Sequence, residues 1–134
     1  MKRRLLDSDV LTAFLAGREP TMRHIREYLA VMPRLTMSVM NYFEVLRGLY
    51  HLGAEHKTSR FRELASASEL LPIDEETAEI AARLYADLRR SGQPLPDADI
   101  LIAATALAND CVLVTGNEKH FRRIKGLEVE NWLT

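Results

Sequence analysis

Residues 4–17 read RLLDSDVLTAFLAG, and this stretch decides the fold. The short apolar run Arg4-Leu5-Leu6 predicts a strand, which ends at the polar triplet Asp7-Ser8-Asp9. From Val10 onward, apolar side chains recur at helical spacing as far as Gly17, and this periodicity predicts a helix. The sequence therefore begins with a strand, a turn and a helix.

The rest of the chain alternates helical and extended patterns in the same way. Pro20 suits the first turn of a second helix, and Ser38 can cap a third. Pro72 favours an edge position for the third strand, and Pro94 and Pro96 force a loop before the sixth helix. The further predicted helices cover residues 20–31, 38–51, 55–68, 74–92 and 99–108, and the further predicted strands cover 35–37, 70–73, 112–114 and 127–130.

The order of these elements predicts an α/β fold. Strands separated by one or two helices give right-handed crossovers and a mainly parallel sheet covered on both faces. In such sheets, ligands bind just beyond the carboxyl ends of the strands. Asp7 lies at that end of the first strand, and Asn117 follows the strand 112–114. We expect both side chains to face one crevice.

Size and composition limit the function classes. Residues 1–134, of which 47% are hydrophobic, suit a single domain with one core. No apolar run approaches the roughly 20 residues that cross a bilayer, so we expect no membrane segment and a cytoplasmic location. The net charge of −1 argues against a protein that coats nucleic acid without discrimination. The single cysteine, Cys111, opens an apolar run and predicts a buried thiol.

Carboxylates in apolar surroundings point to a cation. Glu44 and Asp99 each lie in a predicted helix among apolar neighbours, where an unpaired carboxylate is costly. Several carboxylates that converge on one crevice repel each other unless a divalent ion neutralises them. Oxygen ligands favour Mg²⁺ or Mn²⁺, and the scattered histidines give no zinc-type pattern.

Five segments of the sequence carry a family resemblance when they are taken together and in order. They are LLDSDVL at 5–11, EVLRG at 44–48, PDADILIAATA at 96–106, LVTGNEKHF at 113–121 and GLEVENW at 126–132. One such segment alone would be weak evidence, whereas five in order are specific. The chain resembles the PIN domain over nearly its whole length, and within that family it resembles the VapC-type toxins of bacterial toxin–antitoxin pairs.

This resemblance implies a PIN-like three-layer α/β/α sandwich and a sequence-selective endoribonuclease that a partner antitoxin holds inactive. It assigns the acidic ligands of a Mg²⁺ or Mn²⁺ ion to Asp7, Glu44 and Asp99. Two positions depart from the family pattern, because Asp9 replaces the usual Asn and Asn117 stands where a fourth acid is common. Asn117 then joins the catalytic set as a neutral oxygen that can orient a metal-bound water. Whether one or two ions bind is left open.

The ligand type implies a mechanism without a protein nucleophile. The metal is expected to lower the pKa of a bound water that attacks phosphorus, and Asp99 is a candidate general base. Arg47 lies one helical turn after Glu44, so it either pairs with that carboxylate or reaches a substrate phosphate. Thr115 is a second candidate substrate contact. We expect no catalytic role for His120.

Three further acids have both a metal-binding and an ordinary interpretation. Asp9 could be a metal ligand or a helix cap, and Asp97 could be a ligand or a loop residue. Glu118 could replace the missing fourth acid or be a solvated charge in the first turn of a helix. The sequence leaves these alternatives open.

Two other functions compete with the ribonuclease. The acids Asp7 and Asp9 after an apolar strand also match the nucleophile and acid of a haloacid-dehalogenase-type phosphatase. Its later acids usually follow a strand, whereas Asp97 and Asp99 precede a helix. The second alternative is a PIN-like binding module with weak or no activity, which Asn117 keeps open.

We also expect a homodimer, because the second and third helices carry more apolar side chains than one small core readily hides. These side chains belong to Met22, Ile25, Leu29, Met40, Tyr42, Phe43 and Leu49. The expected partner is an antitoxin whose tail crosses the crevice and presents a basic side chain to the acids.

Overall fold

The computed structural model describes residues 1–134 and contains a five-stranded sheet in which every neighbouring pair of strands is parallel. The strand order is β3-β2-β1-β4-β5, so the first strand lies at the centre. The strands are β1 (Arg4–Leu6), β2 (Thr36–Ser38), β3 (Glu69–Leu71), β4 (Val112–Val114) and β5 (Val129–Glu130).

Seven helices connect and cover these strands. They are α1 (Ser8–Leu15), α2 (Thr21–Leu29), α3 (Val39–Leu52), α4 (Glu55–Ser66), α5 (Glu75–Arg90), α6 (Asp97–Ala108) and α7 (Glu118–Phe121). None of them combines the length and the apolar character needed to cross a bilayer.

The sheet separates two hydrophobic clusters, because successive residues of a strand point to opposite faces. Leu5 and Leu113 contribute to the cluster formed with α5, α6 and α7. Their neighbours Leu6 and Val114 contribute to the cluster formed with α1, α2, α3 and α4. The result is the three-layer α/β/α arrangement, and the predicted fold class is confirmed.

Capping residues fix the starts of α1 and α3, the two helices that begin where β1 and β2 end. The Asp7 carboxylate caps α1, and Ser38 and Asn41 form a reciprocal capping box at the start of α3. Because Asp7 directly follows β1 and Ser38 is the last residue of β2, these caps bring α1 and α3 to the carboxyl edge of the sheet at neighbouring positions.

Most predicted elements are confirmed, with differences at their ends. Pro72 lies just outside β3, which is an edge strand as predicted, and Cys111 is buried. No bounds were predicted for the short helix α7, since four residues are too few to show a period; Glu118 lies in its first turn, as one of the two interpretations of that residue had it. The predicted dimer face needs correction. Ile25 on α2 and Leu49 on α3 face the core and are buried there, whereas Phe43 is 48% exposed.

Candidate active site at the carboxyl ends of the strands

Asp7 lies where β1 passes into α1, and both of its carboxylate oxygens accept hydrogen bonds. Its Oδ1 accepts from the backbone N–H of Ser8 at 2.8 Å and from the Asn41 side-chain amide at 3.1 Å. Its Oδ2 accepts from the Thr115 hydroxyl at 2.7 Å. Asp7 is only 8% exposed. A buried carboxylate is thus held by groups from three elements of the fold.

Burial makes the negative charge of Asp7 costly. Loss of solvent raises the pKa of Asp7 to about 6; the hydrogen bond from Thr115 opposes this rise, and the negative charge of Asp9 adds to it. The charge of Asp99 acts in the same direction. A nearby cation would relieve both burial and repulsion, since it favours the charged form.

The side chains of Ser8 and Asn41 link Glu44 to Asp7 through hydrogen bonds. The Ser8 hydroxyl donates to Glu44 Oε1 at 2.8 Å and accepts from the Asn41 amide at 3.0 Å. Arg47 lies 3.8 Å from Glu44 Oε2, and its guanidinium carbon lies 5.1 Å from the centre of the Phe43 ring. We call the connected set Asp7, Ser8, Asn41, Glu44 and Thr115 the Asp7 side of the site.

Asp9 lies at the rim of this side, against the loop after β4. Its Oδ2 accepts from the Gly116 backbone N–H at 3.0 Å. Loss of solvation raises the pKa of Asp9, and the Gly116 hydrogen bond opposes the rise. A Cβ atom at Gly116 would lie 2.8 Å from Asp9 Oδ2 and 2.4 Å from Leu133 Cδ1. The absence of a side chain at Gly116 therefore permits this close approach.

Asp99 lies in the first turn of α6, close enough for its negative charge to act on Asp7 and Asp9. Its Oδ2 lies 3.1 Å from Nδ1 of His120, which in turn lies 2.8 Å from the Asn117 side-chain nitrogen. The side chains of Asp99 and His120 are 21% and 35% exposed. We call Asp99, Asn117 and His120 the Asp99 side of the site.

The predicted ligands Asp7, Glu44 and Asp99 supply oxygen atoms, which fit Mg²⁺ or Mn²⁺. No three acidic, histidine or cysteine side chains already lie in an arrangement that would surround a metal ion. That observation is compatible with a hard cation, because Mg²⁺ is commonly held by one or two carboxylates together with water and phosphate oxygens. The buried, repelled charge of Asp7 is the feature that such an ion would stabilise.

The candidate acids Asp97 and Glu118 are not brought into the cluster, whereas the candidate substrate contact Thr115 belongs to it as a partner of Asp7. Asp97 is exposed, and its side chain takes part in no hydrogen bond or ion pair. Glu118 accepts hydrogen bonds from Asn131 at 3.0 Å and from Arg122 at 2.7 Å, and these lower the pKa of Glu118. Thr115 is completely buried. Its hydroxyl positions Asp7 and is out of reach of a substrate.

The sequence reasoning missed three members of the site: Ser8, Asn41 and His120. A signal existed for Asn41, because a polar residue three positions after a capping Ser is the pattern of a capping box. His120 lies three residues after Asn117, but α7 is too short for its periodicity to reveal a shared face. His120 does contact Asp99, and the expectation that it has no catalytic role stays a prediction.

A groove of about 1160 Å³ opens beside the Asp7 side. Ser8, Asp9 and Glu44 contribute polar side chains to its lining, and Leu49 and Leu52 of α3 contribute apolar ones. The acids therefore border a groove of mixed polar and apolar character.

A family model for the PIN domain matches residues 4–127 of the chain. The chain belongs to the PIN domain family. This PIN domain is 35% identical over 95 residues to Ribonuclease VapC1 of Methanocaldococcus jannaschii, and the match covers 69% of this chain and 68% of that protein. It is 31% identical over 111 residues to the tRNA(fMet)-specific endonuclease VapC of Salmonella typhimurium, covering 81% of this chain and 84% of the relative.

A solved structure is similar to this PIN domain over almost its whole length. The DNA-bound VapBC of Salmonella typhimurium matches with a TM-score of 0.84 and 28% identity, covering 98% of this chain and 99% of that one. The resemblance to VapC-type proteins is therefore confirmed. Membership of the PIN family also removes the haloacid-dehalogenase alternative.

Proposed function

We propose that this PIN domain is a metal-dependent endoribonuclease that acts as the toxin of a toxin–antitoxin pair. The observation that carries the proposal is the buried Asp7 carboxylate, whose pKa is raised to about 6 by burial and whose neighbours Asp9 and Asp99 add negative charge. On a fold shared with VapC ribonucleases, such a cluster at the strand ends suits the binding of a divalent cation.

The residues divide the proposed work between them. When bound, Mg²⁺ or Mn²⁺ supplies water activation and charge neutralisation at phosphorus. Asp7, Glu44 and Asp99 hold the ion through their carboxylates, and Asp99 is the candidate that accepts a proton. Asn117 offers a neutral oxygen at the rim.

RNA is the proposed substrate, by analogy with the ribonuclease and tRNA endonuclease relatives. Arg47 is the candidate for a phosphate contact because its side chain is 61% exposed and its ion pair with Glu44, at 3.8 Å, is long. A planar guanidinium can leave such a weak pair for a bidentate phosphate contact. An RNA substrate also implies action in the cytoplasm.

Cleavage assays test the proposed activity. The metal-free chain is incubated with a transfer RNA pool and with a generic phosphomonoester, each with Mn²⁺ or with excess chelator. We expect Mn²⁺-dependent RNA fragments and no phosphomonoester hydrolysis. The absence of cleavage, combined with tight binding to a partner protein, would instead favour a PIN-like binding module.

The proposed partner is an antitoxin whose tail lies in the groove and directs a basic side chain at the acids. The similar VapBC structure from Salmonella typhimurium supports a protein partner, and the groove has both apolar residues and the acids Asp9 and Glu44 in its lining. An arginine fork could bridge two carboxylates and displace the metal. A complex in which the crevice stays empty and open to RNA would contradict this proposal.

A homodimer is proposed from exposed apolar residues: Phe43 remains from the face predicted from the sequence, and the structure adds Tyr50, which that prediction did not include. Phe43 and Tyr50 on α3 are 48% and 55% exposed. Burying them against a second copy would remove apolar surface from water. The molar mass of the purified chain at micromolar concentration tests the proposal, and a monomeric mass would contradict it.

A further inference from the structure

Asn41 occupies a position in the site that no substrate or metal could reach. It lies in the first turn of α3 and is completely buried. A buried primary amide is unfavourable unless its two donors and its acceptor oxygen all find partners. The hydrogen-bond partners of the Asn41 amide therefore indicate its role.

The two ends of the Asn41 amide serve different purposes. Its oxygen accepts from the backbone N–H of Ser38 at 3.3 Å and from the Ser38 hydroxyl, which completes the capping box. Its nitrogen donates to Asp7 Oδ1 at 3.1 Å and to Ser8 Oγ at 3.0 Å. Capping α3 needs only the oxygen, so the capping role leaves both nitrogen contacts unexplained.

The contact with Ser8 also sets the direction of a hydrogen-bond chain. A hydroxyl has one hydrogen to donate. Because Ser8 Oγ accepts from Asn41, its own hydrogen is available to Glu44 Oε1 at 2.8 Å. One amide thus touches the carboxylate at the end of β1 directly and reaches the carboxylate on α3 through a single hydroxyl.

We propose that Asn41 is a positioning residue that holds Asp7 and Glu44 at the separation and orientation needed to bind a divalent cation. The proposal rests on the function proposed above. Replacing a residue that orients a metal ligand in this way typically costs about 10- to 100-fold in metal affinity or activity.

Two substitutions separate positioning from helix capping. Asn41→Ala removes the cap oxygen and both donors, whereas Ser38→Ala damages the same capping box and leaves both nitrogen contacts in place. We expect both variants to unfold at a lower temperature. Only Asn41→Ala should weaken Mn²⁺ binding to the metal-free full chain, by about 10- to 100-fold in a calorimetric titration. On RNA, only Asn41→Ala should lower kcat more than it raises KM.

Ser8→Ala supplies a graded comparison, because it cuts the path to Glu44 and leaves the direct contact with Asp7. We expect its loss of Mn²⁺ affinity to fall between those of Ser38→Ala and Asn41→Ala. Equal losses for Ser38→Ala and Asn41→Ala would overturn the proposal and return Asn41 to helix capping.

Crystal structures of the metal-free variants test positioning independently of the proposed function. In Asn41→Ala we expect the Asp7 and Glu44 side chains to change rotamer, and in Ser38→Ala we expect them to stay. Unmoved carboxylates in Asn41→Ala would contradict the proposal. Failure of the wild type to bind Mn²⁺ or cleave RNA would instead refute the proposed function, while this structural comparison would still decide whether Asn41 positions the acids.

Discussion

The Asp7 side and the Asp99 side of the site interact through their negative charges but are held in different ways. Asp7 is 8% exposed and accepts three hydrogen bonds from groups on β1–α1, α3 and the end of β4. The side chain of Asp99 is 21% exposed and contacts His120 on the short helix α7. The first side is fixed by the core of the fold, and the second depends on one surface helix.

This difference shows how the domain can combine a rigid ligand with adjustable ones. Side chains locked by packing and hydrogen bonds keep their geometry before anything binds. Asp7 meets that condition because its side-chain partners, Asn41 and Thr115, are themselves buried. Asp99 and His120 have more solvent around them and can move when an ion or a phosphate arrives. The predictions below test this division of roles.

The largest expected effect comes from neutralising either side. Asp7→Asn and Asp99→Asn should each abolish Mn²⁺-dependent RNA cleavage, because the amide keeps the shape but loses the charge that holds a hard cation. Both variants should stay folded and keep partner binding. Mn²⁺ should stabilise the wild type through binding to the folded state, and the variants should lose that response.

A matched substitution distinguishes a metal ligand from a helix cap at Asp7. Asp7→Ala removes the cap of α1 and should cost about 0.5–2 kcal/mol of stability, whereas Asp7→Asn should leave stability unchanged or raised. The measurements are RNA cleavage rates and urea unfolding of the metal-free proteins. An Asp7→Asn variant that unfolds readily, or that cleaves at the wild-type rate, would restore the capping interpretation.

The second prediction uses pH to measure the cost of burying Asp7. Burial raises the pKa of Asp7 to about 6 from its ordinary value of 3.8, so the folded protein binds this proton more tightly than the unfolded chain. The resulting stabilisation is complete below pH 3.8 and is lost as the pH rises through 6. Two pKa units correspond to roughly 3 kcal/mol as an upper estimate.

The difference between Asp7→Asn and the wild type isolates this contribution. In the absence of metal, the variant should match the wild type near pH 4 and become more stable than it by up to about 3 kcal/mol near pH 7. Urea unfolding at several pH values provides the measurement. Parallel stability curves for the two proteins would show that Asp7 carries no such cost.

A smaller effect is expected on the Asp99 side. His120→Ala removes the recorded partner of the Asp99 side chain and should lower kcat by about tenfold, in the range seen when the partner of a metal ligand is removed. Lys119→Ala on the same helix is the control. Stability should change by less than about 0.5 kcal/mol, because His120 is at the surface. Wild-type cleavage by His120→Ala would mean that its contact with Asp99 is incidental.

The smallest effect is expected at Asp97. This residue is exposed and has no hydrogen-bond or ion-pair partner, so Asp97→Asn should leave RNA cleavage unchanged and stability within about 0.5 kcal/mol of the wild type. The measurement is the RNA cleavage rate of Asp97→Asn, determined alongside that of Asp99→Asn. A loss as large as that of Asp99→Asn would make Asp97 a ligand and extend the adjustable side of the site.

The sequence predicted the fold well because the relevant signals are local. The apolar run before Asp7, the cap at Ser38 and the proline loop before α6 each act within a few residues. Alternation along a strand then assigns Leu5 and Leu6 to opposite faces without further information.

The site could be predicted only in part, because its contacts cross long stretches of sequence. Thr115 is 108 positions from Asp7, and Asn41 is 34 positions away. Spacing along the chain contains no signal for such pairs. The acids were found because charge in apolar surroundings stands out, whereas the neutral partners Ser8 and Asn41 look like ordinary turn and capping residues.

The most direct test of the central claim is a crystal structure of the wild-type chain soaked with Mn²⁺ and measured for anomalous scattering. We predict an ion about 2.1 Å from carboxylate oxygens of Asp7, Glu44 and Asp99, with the Asp7 side chain unmoved and the Asp99 side chain shifted toward the ion. Mn²⁺ bound elsewhere, or no ion at the acids at a saturating concentration, would contradict it.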